Sequence, residues 1–263
     1  MFKIPQIFIL TGLLLVTSAL QCYAADGYKQ GAVEVEAGAS IGSKVVGTSD
    51  KILTKKVQAD GDKGYKYGIS YGINDKFILQ YKGGTFITER AQVPQKVGAN
   101  TFILSGVARA EADEFNLLYK VNDNVSAVVG YLDSSIAYND VNFTLPGKIA
   151  SVPTEDVKSF QAGLVYHKPI NDKYTFYTSA IFGKDIHTIN TGVTYKITED
   201  TSFSIGYAER VYRNVNLKIA LDGVVADNKY PVKYKMYHYV LFFCKYSGCF
   251  PRLHYVKYPF LQF

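Results

Sequence analysis

The chain has 263 residues, with Lys+Arg 29 against Asp+Glu 23 and a formal net charge of +6 at pH 7. Hydrophobic residues make up 48% and charged residues 20%, and mean hydropathy is -0.02; this excludes a polytopic helical membrane protein, which needs several apolar runs of about 20 residues. Aromatic content of 14% excludes a disordered chain, and no basic block points to nucleic acid.

Met1-Phe2-Lys3 is a short basic start, followed by an apolar stretch from Ile7 to Leu20 and the small-residue site Cys22-Tyr23-Ala24. This pattern predicts a secretory signal helix over residues 1–24, removed on export. The exported body then keeps only Cys244 and Cys249, so disulfides do not hold it together.

From Gly31 onward the period is two, the period of strands. Gly64 to Ile73 sets Tyr65, Tyr67, Ile69, Tyr71 and Ile73 on one face, against Lys66, Gly68, Ser70 and Gly72. Phe160 to His167, Thr188 to Ile197 and Phe203 to Ala208 alternate in the same way. Strands are expected near 31–39, 64–73, 77–85, 112–121, 125–133, 157–168, 174–183, 188–197, 202–210 and 230–241, ten in all, with eight or twelve as alternatives. Alternation alone also fits a soluble secreted β-sandwich binding module.

Two further features favour a barrel. Tyr71-Gly-Ile-Asn-Asp75, Tyr119-Lys-Val-Asn-Asp123 and Tyr195-Lys-Ile-Thr-Glu199 share one turn plan, and Tyr166-His-Lys-Pro-Ile-Asn-Asp172 is a variant with two extra residues. Asn and Asp suit such turns because they cap their own backbone and tolerate unusual angles. Between these hairpins lie longer polar segments, near 40–63, 84–110, 134–156 and 211–229, with one short connection at 184–187. Tight turns at one end and long loops at the other define an up-and-down meander.

These turns, the signal segment and phrases such as Val129-Gly-Tyr131 and Ile205-Gly-Tyr207 resemble the small bacterial outer-membrane β-barrel proteins, the broad porin and OmpA-like group. The resemblance implies an all-β, antiparallel, up-and-down transmembrane barrel in the outer membrane, spanning residues 25–243. It implies an aromatic girdle of Tyr71, Tyr119, Tyr166 and Tyr195 at the periplasmic side. It implies as partners outer-membrane lipid, lipopolysaccharide and the barrel-insertion machinery. The expected role is structural or anchoring, or narrow non-specific solute passage; the group shares a barrel and not a reaction.

The inward parity places Glu34, Glu36, Lys66, Lys82, Lys120, Lys196, Arg210, Lys233 and Lys235 in the lumen. If the first and last expected strands close the barrel, Glu34 and Glu36 meet Lys233 and Lys235 in a buried ladder. No zinc spacing, phosphate loop or nucleophile elbow is present, so no cofactor, metal or catalytic residue is expected. The runner-up is a rim hydrolase. Asp60-Gly-Asp62 and Asp185-Ile-His187 resemble the acidic pair and the Asp–His pair of ten-stranded omptin proteases.

From Tyr237 to Phe263 the pattern changes: there is no Asp or Glu, and alternation fails after Met236. Three readings fit: a last strand over 230–241 followed by a tail, closure by residues 253–263, or a frameshifted ending after about Met236. The third is preferred as origin and the first as geometry, with residues 244–263 as an atypical tail.

Overall fold

The computed structural model describes residues 29–48, 57–97, 100–143, 150–151, 154–199, 201–217, 220–221, 224–225 and 230–247. The expected signal helix, the 253–263 closure and Cys249 lie outside these residues.

Ten long strands form the wall: β1 Val33–Thr48, β2 Val57–Gly72, β3 Phe77–Thr88, β4 Asn100–Lys120, β5 Val125–Phe143, β6 Glu155–Pro169, β7 Tyr174–Gly183, β8 Ile186–Lys196, β9 Thr201–Leu217 and β10 Tyr230–Ser247. Each pairs antiparallel with its neighbour in sequence, and β10 returns to pair with β1 along Val33↔Ser247 to Thr48↔Lys233. The ring is closed, so each of these ten strands has a paired neighbour on both sides.

The alternation read from the sequence sets the two faces. In β2, Tyr65, Tyr67, Ile69 and Tyr71 are exposed on the outside, while Gly68, Ser70 and Gly72 are buried inside. The outer wall is strongly apolar: Phe160 is 81% exposed, and Phe115, Val129, Leu164 and Ile205 stand out beside it. An apolar outside around a partly polar inside is the inverse of a soluble sandwich and matches a lipid-facing barrel.

The four tight turns are built alike. Ile73, Val121, Ile170 and Ile197 each donate their backbone N–H to the carbonyl four residues on, at 2.8–2.9 Å. Asn74, Asn122 and Asn171 then each accept two backbone N–H groups on Oδ1, as in Asn122 with Asn124 N and Val125 N, both 2.9 Å. The two extra residues of the Tyr166 variant lengthen strand β6 and leave the turn unchanged.

The segments expected as long polar loops are largely strand. β1 continues to Thr48, β3 to Thr88, β5 to Phe143 and β9 to Leu217, and β4 starts at Asn100. At 21 residues β4 is about twice the 9–11 a tilted strand needs to cross a bilayer. Beyond the bilayer the outer face meets water, so period two no longer sorts apolar from polar as cleanly, and the extension reads as loop. Ala91–Val97 folds back on β4 as a hairpin arm. Ala150–Ser151, Ala220–Leu221 and Val224–Val225 pair into a small separate sheet.

The last strand also departs from expectation. β10 runs to Ser247, past the barrel limit placed at 243, with Cys244↔Glu36 and Lys245↔Val35 in register with β1. Backbone pairing on both sides, to β1 and β9, carries the strand through the region where alternation fails.

Candidate functional site in the barrel interior

This register overturns the expected Glu–Lys ladder. Lys233 and Lys235 stand opposite Thr48 and Val46, whereas Glu34 and Glu36 stand opposite Tyr246 and Cys244. The nine residues from Lys235 to Cys244 put the two groups ~30 Å apart along the strand. The ladder set the start of the first strand against the start of the last, whereas antiparallel pairing sets the start of β1 against the end of β10.

The interior charges assemble differently. Glu36 is buried and lies across Gly68, where an added Cβ would come within 2.6 Å of its Cγ. Lys66, Lys82 and Arg210 line the same interior cavity as Glu36. A fifth charged residue, Glu114, completes the group and forms an ion pair with Arg210. Sequence reasoning missed Glu114, although it shares the inward parity of Leu118 and Lys120 on β4. Around the ring, β4 and β9 are five strands apart in either direction. The Glu114–Arg210 pair therefore spans the barrel.

Polar neighbours hold it. Arg210 Nε donates to Thr188 Oγ1 at 3.0 Å. Gln161 Nε2 reaches Asn116 Oδ1 at 3.0 Å and Glu114 Oε2 at 3.3 Å. Gly130 makes room for this contact, because a Cβ there would meet Asn116 Oδ1 at 2.0 Å. A second tie links opposite walls where Ser134 Oγ and Tyr212 Oη lie 3.0 Å apart, with Ser134 also donating to the Glu111 carbonyl at 2.6 Å.

Apolar layers flank the charges. Toward the extended end, Val45, Phe86, Ala110, Leu132, Ile136, Ile186, Tyr212 and Val215 form one cluster. Ile78, Leu118, Val128, Val165 and Ile181 form another, with Ile78, Leu118 and Val128 close to the tight turns. Among the described residues, a cavity of ≈ 100 Å³ lies beside the ion pair.

The remaining expected lumen charges lie nearer the turn end. Lys120 bonds Asp123 at 2.8 Å across its turn, and this contact holds the Asp123 carboxyl below its usual value of 3.8. Lys196 is exposed, and Glu34 is half-buried. Tyr71 and Tyr119 stand exposed on the outer wall, Tyr166 and Tyr195 half-buried there; Tyr119 packs on Phe77 at 5.2 Å and Tyr195 on Tyr174 at 5.1 Å.

The rim candidates each have contacts of their own. Asp60 pairs with Lys44 at 3.6 Å, and Asp62 with Lys63 at 3.7 Å. Asp185 Oδ1 accepts from Asn214 Nδ2 at 2.9 Å, a contact fixed by the left-handed φ of Asn214, 55°, at a bulge in β9. His187 Nδ1 faces Arg213 at 3.2 Å. The strand carrying Asp60 and Asp62, β2, and the strand carrying His187, β8, are four positions apart in the ring. Among the described residues, no group of three His, Cys, Asp or Glu is placed to hold a metal.

A crystal structure of the outer membrane protease OmpT from Escherichia coli superposes with a TM-score of 0.55 at 8% identity, covering 87% of this chain and 99% of that one. The chain folds as a small outer-membrane β-barrel. Two other solved barrels match more loosely: outer membrane protein OprG from Pseudomonas aeruginosa, at TM-score 0.42 and 13% identity over 84% and 98% of the two chains, and Ail, the attachment invasion locus protein of Yersinia pestis, at 0.35 and 12% over 82% and 99%. No protein-family model and no curated protein sequence matches the chain. The likeness of these barrels to the chain is one of fold, and the outer-membrane barrels it spans include a protease.

Proposed function

We propose that this chain is a sealed structural barrel of the outer membrane, anchoring its extended strands and their connections beyond the bilayer rather than passing solutes. The observation that carries the reading is the Glu114–Arg210 pair across the lumen, flanked by two apolar clusters. A hydrated path for a sugar or amino acid needs a continuous column of water, and small barrels whose side chains fill the interior lack one.

In this reading Tyr71, Tyr119, Tyr166 and Tyr195 anchor the turn end in the inner interface, with the ring in lipid and the hydroxyl at the headgroups. The apolar wall meets membrane lipid, and lipopolysaccharide surrounds the outer part. Assembly uses the barrel-insertion machinery, with β10 closing against β1. We assign no reaction to the rim, because Asp185 is held by Asn214 and Asp60 by Lys44.

Liposome swelling tests the reading. Vesicles carrying the folded protein should shrink in glucose and re-swell no faster than protein-free vesicles. Faster re-swelling than in protein-free vesicles would favour the passage reading.

A further inference from the structure

Along β6 two lysines bracket an apolar stretch of the outer wall. Lys158 and Lys168 are both exposed, and the outward positions between them are Phe160, Ala162, Leu164 and Tyr166. The ten residues from one lysine to the other rise ~33 Å along the strand. At a tilt of about 40° that is roughly 25 Å of height, the thickness of the apolar band on an outer-membrane barrel. Lys168 lies at the tight-turn end, so Lys158 marks the other edge of the band.

The neighbouring strands change character at the level of Lys158. Register sets Asp133 opposite Lys158 and Asp113 opposite Asp133. Lys158 Nζ lies 2.9 Å from Asp133, and Tyr81 Oη donates to Asp113 Oδ1 at 2.6 Å. One step toward the turns, the same face carries Phe115, Tyr131 and Phe160; Tyr81 packs on Phe115 at 5.0 Å and Tyr131 on Phe160 at 5.3 Å. In the other direction the face carries Asp156, Glu111 and Arg109, with Arg109 paired to Glu111. Charges are costly among acyl chains, whereas tyrosine rings with wet hydroxyls suit the interface.

The inner face changes in the opposite sense. Ala110 and Ile136 stand three residues beyond Asp113 and Asp133, and they pack with Phe86, Ile186 and Val215 in one buried apolar cluster. A charged outside around an apolar inside is the arrangement of a water-soluble protein. The same ring of strands is thus apolar outward on one side of the row and apolar inward on the other.

We propose that the outer leaflet ends at the Asp113–Asp133–Lys158 row, and that the strands beyond it form a water-soluble barrel with its own apolar core. The aromatic row from Tyr81 to Phe160 is then the surface that meets the outer-leaflet interface. The inference rests on the anchoring reading above and gives the level at which the barrel leaves the lipid.

The chain contains no Trp, so a single introduced Trp reports its own surroundings. Leu117→Trp, Phe115→Trp, Glu111→Trp and Ser135→Trp are folded singly, in the full exported chain, into phosphatidylcholine vesicles with plain or brominated acyl chains, with iodide on both sides. Leu117→Trp and Phe115→Trp should lose most of their emission to brominated chains and little to iodide. Glu111→Trp and Ser135→Trp, which face each other beyond the row, should do the reverse. If Leu117→Trp does not fold, Val129→Trp, directly opposite it on β5, takes its place. Bromine quenching of Glu111→Trp and Ser135→Trp as strong as that of Leu117→Trp would overturn the boundary and leave the membrane barrel standing. Iodide quenching of all four with no effect of bromine would overturn both.

Discussion

Glu114 on β4 and Arg210 on β9 face each other across the full width of a ten-stranded ring and close it with an ion pair. Their side chains are 11% and 17% exposed, so the pair is largely taken out of water. Removing one member of such a pair strands the other. Glu114→Gln and Arg210→Met should each destabilise the barrel by about 3–5 kcal/mol, whereas the double change Glu114→Leu, Arg210→Met should recover most of the loss. Urea unfolding in micelles measures this, and a double variant as weak as the sum of the singles would contradict a coupled pair.

Tyr177 lies over two glycines that face each other across β8 and β9. A Cβ on Gly206 would meet the Tyr177 hydroxyl at 2.3 Å, and one on Gly192 would meet it at 2.5 Å. Gly206→Ala should cost about 1–3 kcal/mol as an overpacking change. Adding Tyr177→Phe should return part of it, because the closest clash is with the hydroxyl. Equal stability of Gly206→Ala and the unaltered chain would remove this packing account.

The turn end was the most legible part of the molecule. The repeated Tyr-x-Ile/Val-Asn-Asp phrase marked where each hairpin reverses, because only a residue that caps its own backbone fits there. The number of wall strands followed from those turns and from period two. The extended end was not legible, since water on the outer face of β4 and β5 removes the apolar residues that the bilayer selects lower down. The interior was half legible. Parity alone puts Glu36, Lys66, Lys82 and Arg210 inside, but which charges meet depends on strand register and ring position. Parity puts Glu114 inside as well; that it meets Arg210 depends on the height at which register sets the two residues. Register is also why Lys233 and Lys235 do not meet Glu34 and Glu36.

The three turn asparagines make a separate test. Asn122 Oδ1 accepts from Asn124 N and Val125 N, each at 2.9 Å. Asn122→Ala removes both acceptors and should cost about 1 kcal/mol. Asn122→Asp keeps them and should be close to neutral in effect at pH 7. The comparison is made by chemical unfolding of the two variants side by side; equal losses would show that the side-chain acceptor is unimportant.

Acid should weaken one turn contact selectively. Lys120 holds the Asp123 carboxyl below its usual value of 3.8. A depressed folded value stabilises the fold above the unfolded value, and that contribution disappears as pH falls through the folded one. Asp123 is fully solvent-exposed, so the effect is small. The difference in melting temperature between the unaltered chain and Asp123→Asn should be present at about pH 6 and shrink progressively below 3.8. A difference that stays constant into strong acid would contradict the contact.

The central claim is that side chains seal the lumen, and single-channel recording in planar bilayers tests it most directly. The unaltered barrel should insert without conductance steps, while Glu114→Ala with Arg210→Ala, if it folds, should raise the frequency of openings. Regular steps of uniform size from the unaltered protein would contradict the sealed barrel.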